Sequence, residues 1–332
     1  MEVFEPESLG NYVDSAKMIA EGDEIYDTQS VSDKYQTGLP LLDQYFSGGY
    51  GKKNSYEFIV IASAPKCYKT TFALKMLSKQ VENKTPMMWV LPEMSYGEIT
   101  NMFRAFYYPD KAKADKFLVD AIDSGALKIV DKRTIDGIDT PKDLQVVIEM
   151  GIKSGVEIFY IDPLNYILGQ ATATISEQTK AEKDFSRWIA RTMEETKKTT
   201  IVVMHNVKDP NQHRQFGMAG SAAFSQQATK TIEVRAEDKL PAQGTGLGRR
   251  VPGQLISVEL WKSRGIEQHM FEPLVLKVVF NPGKKGVNIA ELSADDIRNI
   301  DMCSFLDKKA PDAKQRSMWS VQADMVNAIL EK

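Results

Sequence analysis

A lysine and a threonine open a helix directly after a short buried strand, an arrangement suited to holding phosphate. The strand is Phe58-Ile59-Val60-Ile61-Ala62, the loop is Ser63-Ala64-Pro65-Lys66-Cys67-Tyr68, and Lys69-Thr70-Thr71 begin the helix. A helix N-terminus offers free amides and the positive end of a dipole. Lys69 has the length to reach terminal phosphates, and the Thr70 hydroxyl is a ligand type for Mg²⁺. The usual phosphate loop reads G-x-x-x-x-G-K-[ST], and here Ser63 and Tyr68 stand where its glycines would be. Lys-Thr at a helix start is common, so this motif carries little weight by itself.

Three further strands end in groups that phosphoryl transfer needs. Met87–Leu91 runs into Pro92-Glu93-Met94, where a carboxylate can polarise an attacking water. Val156–Ile161 ends at Asp162, four apolar residues followed by an acid, in position to hold Mg²⁺. Thr200–Met204 ends at His205, a polar group able to sense a terminal phosphate. Each has an ordinary alternative: an acid near a helix start, a turn residue in Asp-Pro, a satisfied histidine. In an open α/β sheet ligands bind at the carboxyl ends of the strands, and four such groups in series are far less ordinary than any one.

The elements that must carry these residues alternate. Helices are expected over 70–79, from the Ser95-Tyr96-Gly97-Glu98 capping box to about Tyr108, over 110–124, from Thr140-Pro141 to Gly155, and over 176–198. Strand–helix repetition of this kind means α/β with a largely parallel sheet. After Gly220 the strands Thr231–Arg235, Leu255–Trp261 and Leu274–Phe280 follow with little helix between them, and are expected to extend the same sheet in antiparallel fashion. Residues 7–21 read as an amphipathic helix followed by a polar linker, and 244–253 as a glycine- and arginine-rich loop.

Composition narrows the setting. The 332 residues carry a net charge of −3, two cysteines and three scattered histidines. Disulfide scaffolds and zinc sites are not indicated, and any nucleic-acid contact must come from a local basic surface. No apolar run is long enough to span a membrane, and the acidic N-terminus is not a signal peptide. A reducing cytoplasm is the expected location.

Taken together, Ile59–Pro65 with Lys69-Thr70-Thr71-Phe72-Ala73-Leu74-Lys75-Met76 resembles the Walker A region of DnaB-type replicative helicases. Thr37-Gly38-Leu39-Pro40-Leu41-Leu42-Asp43 is similar to that family's opening segment, and Glu93-Met94 to its catalytic glutamate region. His205, Lys208 and Gly220–Ala228 resemble the phage and mitochondrial primase-helicase branch. Trp261-Lys262-Ser263-Arg264-Gly265 is similar to the segment that completes a neighbouring subunit's ATP site. The resemblance covers about 37–285. It implies an α/β, RecA-like P-loop NTPase core, with a mostly parallel central sheet flanked by helices and antiparallel strands added near the C-terminus. The corresponding division is 1–35 for an N-terminal helix and linker, 36–289 for the ATPase domain, and 290–332 for a helical tail.

By the same resemblance the activity is ATP hydrolysis driving a homo-hexameric ring along single-stranded DNA. Glu93, Lys69 and His205 serve catalysis, with Lys262 and Arg264 acting from the neighbouring subunit. Ser63 to Thr71 bind ATP, Thr70 and Asp162 hold Mg²⁺, and Lys208, His213 and Arg214 meet DNA phosphates. Primase, polymerase or a helicase loader are the implied further partners. A lone ATPase domain suggests a phage or mobile-element protein working in a bacterial host cytoplasm. The departure from the family is Tyr68, where glycine would let backbone approach phosphate without a Cβ. Two outcomes are open: the ring points outward and binding survives, or it fills the phosphate site and catalysis is lost. A nucleotide-binding scaffold or accessory protein of a replication complex is therefore the alternative to a motor, and a recombinase or signalling ATPase a third reading.

Overall fold

A computed structural model describes residues 34–52, 55–64, 66–131, 140–164, 175–205, 222–237, 255–263, 273–281, 286–293 and 296. The expected helix at 7–21, the loop at 244–253 and most of the tail lie outside these residues. The chain enters through β1 (Lys34–Tyr35), α1 (Pro40–Tyr45) and β2 (Tyr50–Lys52), with β1 and β2 paired antiparallel. The alternating part follows: β3 (Glu57–Ser63), α2 (Lys69–Glu82), β4 (Met87–Leu91), α3 (Tyr96–Phe106), α4 (Lys111–Asp123), β5 (Leu127–Asp131), α5 (Pro141–Lys153), β6 (Ile158–Ile161), α6 (Ile175–Thr196), β7 (Thr199–His205) and α7 (Ala222–Gln227). The C-terminal strands are β8 (Lys230–Glu237), β9 (Leu255–Ser263), β10 (Leu274–Phe280) and β11 (Val287–Glu291).

Nine strands form one sheet in the order β11-β10-β9-β8-β3-β7-β6-β4-β5. From β5 through β8 every pairing is parallel, and β9, β10 and β11 add antiparallel. The central strands β4 and β6, and β3 over Phe58–Ala62, are continuously apolar because both of their faces are covered. Alternate residues go to opposite layers: Ile59, Ile61, Trp89 and Tyr160 face the core under α2, α3 and α4, whereas Phe58, Val60, Val90 and Phe159 face the core under α5, α6 and α7. The fold is thus an α/β core, one sheet between two helical layers.

The antiparallel strands expected after Gly220 begin at β9, because β8 runs parallel to β3 and antiparallel to β9. The reason is α7, a six-residue helix between β7 and β8, which lies on the α5–α6 side through Phe224. Parallel neighbours need such a crossover, and the short, polar Ala-Ala-Phe-Ser-Gln-Gln segment gives no helical periodicity to read.

Local chemistry sets the helix ends. Ser95 and Glu98 form a reciprocal capping box, as do Thr140 and Asp143 with Pro141 at the first helical position. Gly155 stops α5 in left-handed backbone at φ 81°. The opening segment is tied down from both sides. Asp43 accepts the Thr37 amide at 2.7 Å, and Glu291, the last residue of β11, accepts the Leu41 and Leu42 amides at the start of α1. The last described strand, β11, ends at Glu291. At the opposite end of β3, Glu57 forms an ion pair with buried Lys230 at 2.5 Å.

Gly151 in α5 marks how closely helix and sheet approach. A Cβ there would stand 2.6 Å from the Phe159 ring and 3.0 Å from the Met88 methyl, and Phe159 is fully buried. Gly151→Ala is expected to lose about 1–2 kcal/mol, the overpacking penalty exceeding the gain in helix propensity. Urea unfolding measures it; an unchanged or raised midpoint would show that the Phe159 ring has room to move.

Candidate functional site

Parallel pairing brings the carboxyl ends of β3, β7, β6 and β4 to one edge of the sheet. Ser63 of β3 pairs with His205 of β7, and Ile161 of β6 pairs with both Val202 of β7 and Val90 of β4. The Asp162 amide continues the ladder by donating to the Val90 carbonyl at 3.0 Å. Chain order and spatial order differ here. Across the sheet the sequence of groups is Lys69/Thr70, His205, Asp162, Glu93.

Lys69 and Asp162 are buried, and Glu93 is exposed at the mouth. The Thr70 hydroxyl lies near enough to act on the Asp162 carboxylate, as do the charges of Lys69 and Glu93. Tyr160, two residues earlier on the same face of β6, donates its hydroxyl to Asp162 Oδ2 at 2.6 Å. Burial pushes the Lys69 ammonium below its usual range, with Asp162, Glu93 and Cys67 pulling it back up. Burial pushes Asp162 up; the Thr70 hydroxyl, the bond from Tyr160 and the Lys69 charge act downward, while Glu93 adds to the rise. Two carboxylates thus face one ammonium in a partly desolvated corner, an electrostatic imbalance that a divalent cation would relieve. The Thr70 hydroxyl beside Asp162 is the pair of oxygens such a cation would take from the protein.

The loop itself is shaped for an anion. Lys66 and Tyr68 adopt φ of 66° and 59°, whereas Cys67 between them and helical Lys69 do not. Alternation of backbone hand curls successive amides toward a common centre. Tyr68, at the N-cap of α2, lies fully in the left-handed region with ψ 21°, which costs a residue bearing a Cβ about 1–2 kcal/mol. Its ring meets Phe280 at the end of β10, with centroids 6.5 Å apart and planes at 77°, and it also packs on the apolar layer shared by α2 and α3. An edge-to-face pair contributes about 0.5–1.5 kcal/mol beyond area burial, comparable with the backbone cost. Of the other loop positions, Ser63 is buried and donates to the Ala64 carbonyl at 2.9 Å, Ala64 and Lys66 are exposed, and Thr71 is buried.

The backbone of Lys262 is not at this edge. Lys262 pairs through its backbone with Thr231, which pairs in turn with Val60. Because β9 runs against β3, its last residues travel away from the phosphate loop of their own chain. Pro65, Lys208, His213, Arg214 and Arg264, and the side chains of His205 and Lys262, lie outside the described residues. Tyr160 and Phe280 were not anticipated. Tyr160 was findable from strand alternation, since residues two apart share a face. Phe280 was not, because its contact with Tyr68 spans most of the chain.

The raised Asp162 pKa makes its charge a cost to folding. The contribution favouring the fold is present below the unfolded carboxylate's range and lost as pH rises through the folded value. At neutral pH the ionised group therefore destabilises. Asp162→Asn is expected to raise the urea midpoint of the nucleotide-free protein at pH 7, with the gain shrinking as pH falls into the ordinary carboxylate range. A lowered midpoint at pH 7 would show that the hydrogen bonds outweigh the buried charge.

No protein-family profile matches the chain, and no curated protein matches it by sequence. Solved structures do. The ATPase domain of G40P superposes with a TM-score of 0.60 at 15% identity, covering 85% of this chain and 100% of that one. A DnaB-like replicative helicase, described together with its interactions with primase, gives 0.60 at 15% identity over 85% of this chain and 67% of that one. A KaiC-like protein from the hyperthermophilic archaeon Pyrococcus horikoshii OT3 gives 0.52 at 17% identity over 77% and 98%. The fold is that of RecA-like domains, and it is shared with the ATPase domains of DnaB-like helicases.

Proposed function

We propose that this domain binds Mg²⁺–ATP at the edge formed by β3, β6 and β4, and hydrolyses it as a motor on single-stranded DNA. The observation that carries this reading is the meeting of Lys69, Thr70, Glu93 and Asp162 beside a loop whose backbone alternates in hand. The amides of residues 66–70 cradle phosphate, and the Lys69 ammonium reaches the β- and γ-phosphates. Thr70 and Asp162 hold the cation, with Tyr160 fixing one carboxylate oxygen. Magnesium bound with the triphosphate neutralises charge on the phosphate oxygens. Exposed Glu93 orients water and accepts its proton, and His205 senses the γ-phosphate. The Tyr68 ring lies against Phe280, which supports the outward arrangement that leaves the loop free.

The direction of β9 supports a role for Lys262 and Arg264 at a neighbouring subunit's site, with Arg264 as the arginine finger. That role requires a ring, for which a homo-hexamer is the natural closed form. Lys208, His213 and Arg214 then follow β7 and supply contacts to DNA phosphates. Primase is a candidate partner, since one structural neighbour is a DnaB-like helicase that interacts with primase; a polymerase or a loader are others. No described helix is long and apolar enough to cross a membrane, and we place the protein in the cytoplasm, that of a bacterial host if it is phage-encoded. The second reading, a scaffold that binds nucleotide without turning it over, is favoured by one observation, the strained tyrosine at the glycine position.

Steady-state ATP hydrolysis separates the two. Turnover is expected to rise on adding single-stranded DNA and to fall about 10²–10⁴-fold in Glu93→Gln, with nucleotide binding retained. Absence of turnover in every condition, alongside measurable nucleotide binding, selects the scaffold. Light scattering should report a hexamer with ATP and Mg²⁺; a strict monomer with and without them removes the trans role of Lys262 and Arg264.

A further inference from the structure

The phosphate loop leans on a residue far along the chain. From β3 the sheet runs β8, β9, β10. Two reversals, at β9 and again at β10, restore the direction of β3. The C-terminal residue of β10, Phe280, therefore lies at the same edge of the sheet as the phosphate loop. Its position is set independently of that loop. Phe280 pairs with Val287 of β11, the Asn281 amide group donates to the Ala105 carbonyl at 3.0 Å, and that of Asn288 donates to the Phe106 carbonyl at 3.3 Å. The hairpin is thus fastened to α3 by backbone-directed bonds. Phe280 itself remains 49% exposed, so its ring is not needed to fill the core.

We propose that Phe280 is a positioning residue for the phosphate loop, acting through Tyr68. A glycine at the N-cap of α2 would enter left-handed backbone without help. Tyrosine resists that conformation, and the edge-to-face contact with a fixed ring holds it there. The alternating hand of residues 66–69, and with it the direction of their amides, depends on the aromatic pair. The inference takes the loop as the nucleotide site proposed above, but its structural half, the coupling of loop to hairpin, is testable without nucleotide.

The test is a double-mutant cycle on the full chain, using a fluorescent ATP analogue with Mg²⁺, and hydrogen exchange at the amides of 66–70 in nucleotide-free protein. Phe280→Ala is expected to weaken binding about fivefold in the presence of Tyr68, and to have less than about a twofold effect in the Tyr68→Gly background. Phe280→Tyr should keep wild-type affinity. Exchange at 66–70 should quicken in Phe280→Ala while the thermal midpoint stays near wild type. Equal losses in both backgrounds would place Phe280 directly on the nucleotide and overturn the proposal. So would unchanged exchange at 66–70. If no variant binds the analogue, the nucleotide reading fails, and the exchange experiment alone still decides the coupling.

Discussion

The approach of the Thr70 hydroxyl to the buried Asp162 carboxylate joins the first turn of α2 to the end of β6, with β7 between their strands. Much of the architecture serves to make that contact possible. Parallel pairing puts both residues at one edge, apolar layers on each face remove the edge from water, and Tyr160 steadies the acid from below. Desolvation makes the arrangement costly, since Asp162 is pushed up and Lys69 down from their usual values. Such opposed costs are typical of sites whose charges await a ligand. A structural ion pair chosen for stability alone would be expected closer to solvent or more fully hydrogen-bonded.

Much of this was legible in the residues. Continuous apolar runs such as Ile59–Ala62 and Met87–Leu91 announced strands covered on both sides, and Ser95, Thr140 and Gly155 marked helix ends by their own chemistry. The groups at the strand ends were readable for the same reason: strand–helix alternation dictates parallel strands, and parallel strands end together. What escaped has a physical explanation in each case. The brief β1 and β2 are too short for periodicity, and α7 offers only Phe224 to the core. Strand β11 has an alternating pattern, but at Ile289 and Glu291 it reads equally well as helix start. The Tyr68–Phe280 contact depends on two reversals of chain direction, which no local pattern encodes.

Tyrosine at a position shaped for glycine illustrates how a loop can keep its conformation while changing the source of its stability. Glycine would place the determinant within the loop, in the absence of a Cβ. Here part of the determinant is tertiary, lodged in a hairpin that is itself bound to α3 through Asn281 and Asn288. The loop's geometry is therefore a property of the assembled domain more than of residues 63–70, and the departure from the usual pattern does not by itself imply a different fold.

The two ends of the described domain are stitched to each other. Glu291 satisfies the first amides of α1, Asp43 within α1 holds Thr37, and Asp296 reaches back to Lys277 of β10 at 2.6 Å. Trimming the chain at residue 289 would leave amides at the start of α1 without their carboxylate, and would remove Ala290 and Glu291 from the pairing of β11 with β10. A minimal recombinant fragment should accordingly retain residues through at least 296, because the clasp that closes the domain is made by residues that look, in the bare sequence, like the beginning of something else.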